Sequence, residues 1–309
     1  MWRYDDTRAA LRDAPRLSRA MTYKSAVAGL PLGGGKGVIV LPSEPMAPRR
    51  RRDVLLDFAD TVQALRGSYV TAEDVGTSAR DMQVIAQGTT HVSGLSRRRG
   101  GSGDPSPFTA LGVQAAIAAS CERAFGSASL KGRSICVSGL GHVGLPLAKG
   151  LLRAGATVLA SDIDRSKRDV IRSAGGRWVA PGKALAQAVD VLAPCALGGV
   201  ITDESLAELQ APVVAGAANN QLAADEVAEL LADRGILWAP DFVANAGGII
   251  NIAVELEPAG YDPARARMRV GGIGDTIREV FDEASTSRTT PLDAAMRLAK
   301  RRLDEAGSG

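Results

Sequence analysis

The turn Gly139–Gly144 (GLGHVG) constrains the fold of this chain more than any other stretch. It follows a short apolar strand pattern, Arg133–Ser138 (RSICVS), and opens a helical pattern over Val143–Arg153. A glycine-rich turn alone is a weak signal, but between a buried strand and a helix it is the setting in which a phosphate-binding turn forms. Gly139 permits the tight turn, Gly141 lets the backbone approach a pyrophosphate, and Gly144 lets the helix pack on the sheet. The backbone of Gly139, Gly141, His142, Val143 and Gly144 is therefore the candidate dinucleotide site. Its phosphates would sit at the helix N-terminus, on unpaired amides and the positive end of the dipole. Pro146 falls just inside that helix, where a missing N–H costs least.

From this turn onward strand and helix patterns alternate. Ala156–Ser161, Asp190–Ala193, Pro212–Ala217 and Ile236–Ala239 read as strands, with helices such as Asp225–Asp233 between them. That alternation predicts an α/β fold with a parallel sheet covered by helices on both faces. Asp162 ends the second strand. An acidic side chain there accepts hydrogen bonds from ribose hydroxyls and repels a 2′-phosphate, so NAD is expected over NADP, although Arg165, Lys167 and Arg168 lie close by.

A second stretch, Met21–Val40, sets Lys24 and Lys36 around the run Gly33–Gly35. A catalytic amine needs a depressed pKa, which burial or a neighbouring positive charge supplies. Glycines beside Lys36 let backbone and a small substrate approach closely. Taken by itself, the stretch also reads as a glycine turn between two strands with solvated lysines. Around it, residues 1–104 read as a mixed α/β unit. Asp53–Arg66 is a helix stopped by Gly67, and Tyr69–Thr71 is a short strand leading into Ala72–Thr77 (AEDVGT). Gly100–Pro107 (GGSGDPSP) is the expected hinge, because glycine permits a change of direction and proline stiffens it. The alanine-rich Phe108–Phe125 is helical, and Pro291–Glu305 forms one amphipathic helix.

Composition narrows the partners. A length of 309 residues suggests roughly two domains. A net charge of +3 is too small to argue for nucleic acid, and the runs Arg49–Arg52 and Arg97–Arg99 read as solvated loop or helix-start charge. Cys121, Cys136 and Cys195 form no CxxC pair, which fits a reducing cytoplasm. His91 and His142 bring no clustered ligands, so no metal is expected, and neither imidazole is placed in the chemistry. The charged N-terminus is not a secretory signal, and no apolar run reaches the ~18 residues of a membrane span.

The blocks MTYK, AGLPLGGGKGVI, TAEDVGT, GDPSP, GLGHVG, PCALGG, AGAANNQL and APDFVANAGGIIN, in this order, resemble the amino-acid dehydrogenases acting on glutamate, leucine, phenylalanine or valine. The likeness runs along nearly the whole chain and is greatest to the leucine, valine and phenylalanine members. It implies a substrate domain over residues 1–104, a Rossmann domain over 105–285, and a C-terminal helix, 286–309, packing back on the first. The implied reaction is reversible NAD-dependent oxidative deamination of a hydrophobic L-amino acid to a 2-oxo acid and ammonia, in a cytoplasmic homo-oligomer.

By the same resemblance Lys24 pairs with the substrate carboxylate, with Gly34 and Asn220 beside the substrate. Lys36 is the general base that activates water, with its pKa lowered by the second ammonium and by desolvation. Asp74 exchanges a proton with the amine, and Thr109 and Asn245 lie near the nicotinamide. Ala28, Leu30 and Ile249 are expected to line the side-chain pocket, which leans toward Leu, Val or Ile. The family continues for several tens of residues before the position of Met1. That departure keeps open an alternative, an NAD-binding homologue without catalysis. Retention of Lys24, Lys36 and Asp74 together argues against it.

Overall fold

A computed structural model describes residues 1–307 of the chain. It opens with a long helix, α1 (Thr7–Val27), whose N-cap Asp6 accepts a hydrogen bond from the Ala9 amide at 2.6 Å. Only Ala10 and the last turn, Ser25–Val27, are buried. Most of its surface is therefore wet, and its apolar face is a thin stripe of Ala10, Ala14, Leu17 and Met21, an i, i+4, i+7, i+11 period that the sequence reading passed over.

The helix α2 (Pro48–Ala64) starts earlier than its apolar pattern, with a proline in its first turn. Arg49–Arg52 form that first turn. Arg49, Arg50 and Arg52 are exposed, but Arg51 is not a solvated charge. Its guanidinium forks onto both carboxylate oxygens of Asp81, at 2.9 and 2.8 Å, in the short helix α3 (Ala79–Ile85). Leu55, Ala59, Met82, Ile85 and Val92 make a small core here. The strand expected at Tyr69–Thr71 is reduced to a single bridge between Thr71 and Val92, and a second bridge joins Trp2 to Val40. Arg97–Arg99 form one 3₁₀ turn before the glycine-rich segment.

The rest of the chain builds the sheet. After α4 (Ser106–Phe125) come β1 (Ser134–Ser138), α5 (Gly144–Arg153), β2 (Thr157–Ser161) and α6 (Lys167–Ser173). Then follow β3 (Arg177–Trp178), β4 (Val191–Pro194), α7 (Asp203–Leu206), β5 (Val213–Val214), α8 (Val227–Asp233) and β6 (Leu237–Trp238). All pairings are parallel, in the order β3-β2-β1-β4-β5-β6. This is the strand order of dinucleotide-binding doubly wound sheets. Both faces are covered. Ile135 and Val137 of β1 enter the larger core, whereas Cys136 between them enters the core on the opposite face. Burial pushes the Cys136 thiol up to about 12. The two-residue β3 has no strand pattern in the sequence, and β5 and β6 pair over fewer residues than their apolar runs.

The chain closes with α9 (Asp241–Ala244), α10 (Gly247–Glu255), α11 (Pro263–Gly271), α12 (Ile273–Ser287) and α13 (Pro291–Gly307). Helix α13 packs on α1 and α12, and Arg302 donates to the Val27 carbonyl at 2.6 Å. The last two residues of the expected C-terminal helix, Ser308 and Gly309, lie outside the described residues. Among the described residues no helix is long and apolar enough to cross a membrane, and no cluster of His, Cys, Asp or Glu is placed to hold a metal.

Candidate active site

A cleft of about 650 Å³ runs between the lysine-bearing segment and the mouth of the parallel sheet. Lys24, Gly34, Lys36, Asp74, Thr109, Val143 and Asn245 all line it, although they come from separate parts of the chain.

Lys24 projects from the last turn of α1, and its ammonium donates to Asn219 Oδ1 at 3.2 Å. The same oxygen accepts Asn245 Nδ2 at 2.8 Å. Burial draws the Lys24 pKa down to about 8, with the Asp241 carboxylate opposing and the Lys36 charge reinforcing. Lys36 lies against Asp74 as an ion pair. Burial also pulls the Lys36 pKa down, with Asp13 opposing. Desolvation is thus the larger of the two expected causes at both lysines, and like-charge repulsion is felt at Lys24.

The glycine run is shaped by contact. None of Gly33, Gly34, Gly35 and Gly37 has a positive φ. A Cβ on Gly34 would collide with Thr22 and with the Ser18 carbonyl on α1, and one on Gly35 would lie 2.5 Å from the Tyr69 ring. Ser18 Oγ donates to the Gly34 carbonyl at 2.7 Å, and Ser25 Oγ to that of Gly33 at 3.1 Å. Helix α1 therefore carries one lysine and moulds the loop that carries the other. Asp74 is steadied by a tight turn. Its amide donates to Thr77 Oγ1 at 2.9 Å, and its Oδ1 accepts the Val75 amide at 2.7 Å.

On the opposite wall Gly139 has φ +104°, and a Cβ there would stand 2.7 Å from that of Ala196. A Cβ on Gly144 would run into the Gly139 carbonyl, which is the close packing expected of that position. Gly141 is exposed, and a Cβ on it would meet nothing within 4 Å. That open face is room for a pyrophosphate. The Asp162 carboxylate accepts the Leu140 amide at 2.6 Å and the Asp164 amide at 2.8 Å, with the Lys167 ammonium at 3.7 Å. It buttresses the turn while keeping acceptor capacity for a ribose. Thr109 Oγ1 donates to the Pro105 carbonyl at 3.2 Å. Asn245 is buried and its Oδ1 has no hydrogen-bond partner, so it fits a ligand amide. The open Gly141 face and this orphaned oxygen suit a nicotinamide dinucleotide.

Three differences from the sequence reading stand out. Asn220 does not face the cleft: it turns left-handed, at φ 51°, and its carbonyl accepts the Gly199 amide at 2.6 Å, while Asn219 lines the cleft. Adjacent asparagines look alike in a sequence, and only the backbone direction separates them. Of the expected pocket residues Ile249 lines the cleft, but Ala28 lines a smaller cavity of about 240 Å³ and Leu30 packs on the main core. Glu73, passed over beside Asp74, lines the cleft with a pKa raised by burial and by the Asp104 charge.

The model of the Glu/Leu/Phe/Val dehydrogenase dimerisation domain matches residues 2–91, and that of glutamate/leucine/phenylalanine/valine dehydrogenase matches 161–308. The chain belongs to this amino-acid dehydrogenase family. It is 43% identical over 305 residues to a leucine dehydrogenase of Thermoactinomyces intermedius, covering 98% of this chain and 82% of that one. Over 307 residues it is 43% identical to a valine dehydrogenase of Streptomyces virginiae, covering 98% and 84%. Among solved structures, L-tryptophan dehydrogenase from Nostoc punctiforme superposes with a TM-score of 0.86 at 38% identity, covering 100% of this chain and 88% of that one. The family members share the two-domain α/β fold that the sheet order and the cleft describe.

Proposed function

We propose that the chain catalyses reversible NAD-dependent oxidative deamination of a hydrophobic L-amino acid. One observation carries the reading: Lys24, Lys36 and Asp74 converge in a single cleft that also opens onto the glycine-rich turn. Lys24 binds the substrate carboxylate as a fixed point charge. What the dinucleotide supplies when bound is a hydride acceptor for the α-carbon. Neutral Lys36 takes a proton from the water that attacks the resulting iminium, and its burial moves it toward the working range of a general base. Asp74, in contact with Lys36, exchanges a proton with the departing amine. Thr109 and Asn245 would hold the nicotinamide, and the Asp162 carboxylate would favour NAD over NADP by offering acceptors to the ribose.

The lining supports the substrate class. Among the described residues, Lys24 and Lys36 are the only side-chain cations in the cleft, and both have roles at the α-carbon. Among the described residues no further side-chain cation lines the cleft to anchor a γ-carboxylate, while Met21, Leu32, Ile249 and Ile252 offer apolar surface. Residues 1–104 with the returning α13 form the substrate domain of this proposal, and 105–285 the dinucleotide domain, with Gly100–Pro107 the hinge on which the cleft closes. The match of residues 2–91 to a dimerisation domain supports a homo-oligomer, and three free cysteines suit the cytoplasm.

The test is NADH formation with Leu, Val, Ile, Phe and Glu, repeated with NADP. Turnover of the aliphatic substrates with NAD is expected. Turnover of Glu alone, or of none with the dinucleotide still bound, would overturn the reading.

A further inference from the structure

Asp241 is 7% exposed, and a buried carboxylate is costly unless it is paired or hydrogen-bonded. It opens α9 directly after Pro240, and its Oδ2 accepts the Gln221 amide at 2.7 Å. The Phe242 amide also donates to it. Among the described residues no side chain donates a hydrogen bond to it. The opposing full charge it feels is Lys24, on the last turn of the packed helix α1.

The same carboxylate sits behind the lysine's neutral partner. Gln221, which Asp241 holds, is fully buried, with its Nε2 on the Ala218 carbonyl and its Oε1 on Trp238 Nε1, both at 3.2 Å. These bonds lock the turn Ala218–Gln221, and the Asn219 side chain leaves that turn to meet Lys24 and Asn245. The Asn245 amide, in turn, donates to the Asp241 carbonyl at 2.9 Å. Asp241 thus bonds to the Asn245 end of the Lys24–Asn219–Asn245 chain and braces the turn that carries its middle, while its charge is felt at the Lys24 end, without entering the cleft lining.

We infer that Asp241 is a positioning residue for the substrate carboxylate: it braces the turn that presents Asn219 and supplies the buried negative charge that Lys24 faces. The inference rests on reading Lys24 as the carboxylate anchor. The charged groups facing Lys24 are Lys36 from the glycine loop and Asp241 from α9. Asp74 pairs with Lys36 rather than with Lys24, and Arg302 of α13 meets α1 at the Val27 carbonyl instead. Burial disfavours the ammonium most and Lys36 adds to it, while the Asp241 charge is the one that favours keeping the proton on Lys24. A neutral Lys24 would bind a carboxylate poorly.

The experiment compares wild type, Asp241→Asn and Asp241→Glu by KM for the amino acid against pH, with kcat and the dinucleotide KM in parallel. Asparagine keeps an acceptor for the Gln221 amide but removes the charge. In Asp241→Asn the amino-acid KM should begin to rise at lower pH than in wild type, about tenfold per pH unit beyond that point, with the dinucleotide KM unchanged. Asp241→Glu should restore the wild-type profile. An identical KM profile in Asp241→Asn overturns the inference, whereas a wild type that turns over no amino acid fails the proposed function instead. Melting temperatures read the inference in either case. The double variant Lys24→Met/Asp241→Asn should melt no lower than Asp241→Asn alone, because the unbalanced ammonium is gone. A loss equal to the sum of the two single losses overturns it.

Discussion

The two walls of the cleft are built on different principles. The dinucleotide wall rests on six parallel strands whose backbone groups pair with one another. The lysine wall has two isolated bridges in place of a sheet, and its loop is held by side chains: Ser18, Ser25 and Tyr69 bond to Gly34, Gly33 and Gly37. A wall made of backbone ladders tolerates side-chain change provided the turn keeps its shape. A wall made of side chain–backbone bonds depends on each hydroxyl and on each missing Cβ. In the proposed function the reacting groups would lie on the second kind of wall and the cofactor on the first, which would place the chemistry where individual residues matter most.

Substitutions can break this contrast, beginning with the largest effect. Lys36→Ala should lower kcat by roughly 10²–10⁴-fold, the range for loss of a general base, with NADH binding retained in a fluorescence titration. In wild type the base must be neutral. Activity should therefore fall as pH drops through the Lys36 pKa, which burial sets below that of a free lysine, and a kcat–pH profile reads this. If Lys36→Ala abolished NADH binding, the two walls would not be separable.

Gly34→Ala forces a methyl group into Thr22 and Ser18, an overpacking costing about 1–3 kcal/mol. The expected outcome is a lower melting temperature and a marked loss of turnover. Gly141→Ala sharpens the contrast, because its Cβ meets nothing and its φ is not positive. It should leave melting unchanged and raise only the dinucleotide KM. The smallest effect belongs to Ser25→Ala, which removes the 3.1 Å bond to the Gly33 carbonyl and should cost about 1 kcal/mol by denaturant titration.

The dinucleotide half was the more legible. Its strands are apolar because both faces are buried, Gly139 and Gly144 make the tight turn and close packing their spacing announces, and Gly141 leaves an open face. The two-residue β3 escaped because so short an edge strand needs no pattern. The lysine half was legible in its residues but not in its shape. Helix α1 was hidden because it buries little beyond its final turn, and the expected strand at Tyr69–Thr71 dissolved into one bridge. Arg51 looked like surface charge until α2 and α3 were brought together.

By itself the sequence determined the parallel sheet and the glycine-rich turn and singled out Lys24, Lys36 and Asp74, since these follow from local period, glycine spacing and recognisable blocks. Only the tertiary structure decided that Asn219 rather than Asn220 reaches Lys24, that burial lowers the Lys36 pKa, and that Asp241 braces the turn beneath Asn219 through the Gln221 amide. Those outcomes depend on which way a backbone turns and on how much water packing excludes. Both are properties of segments far apart in the chain, and no local pattern records them.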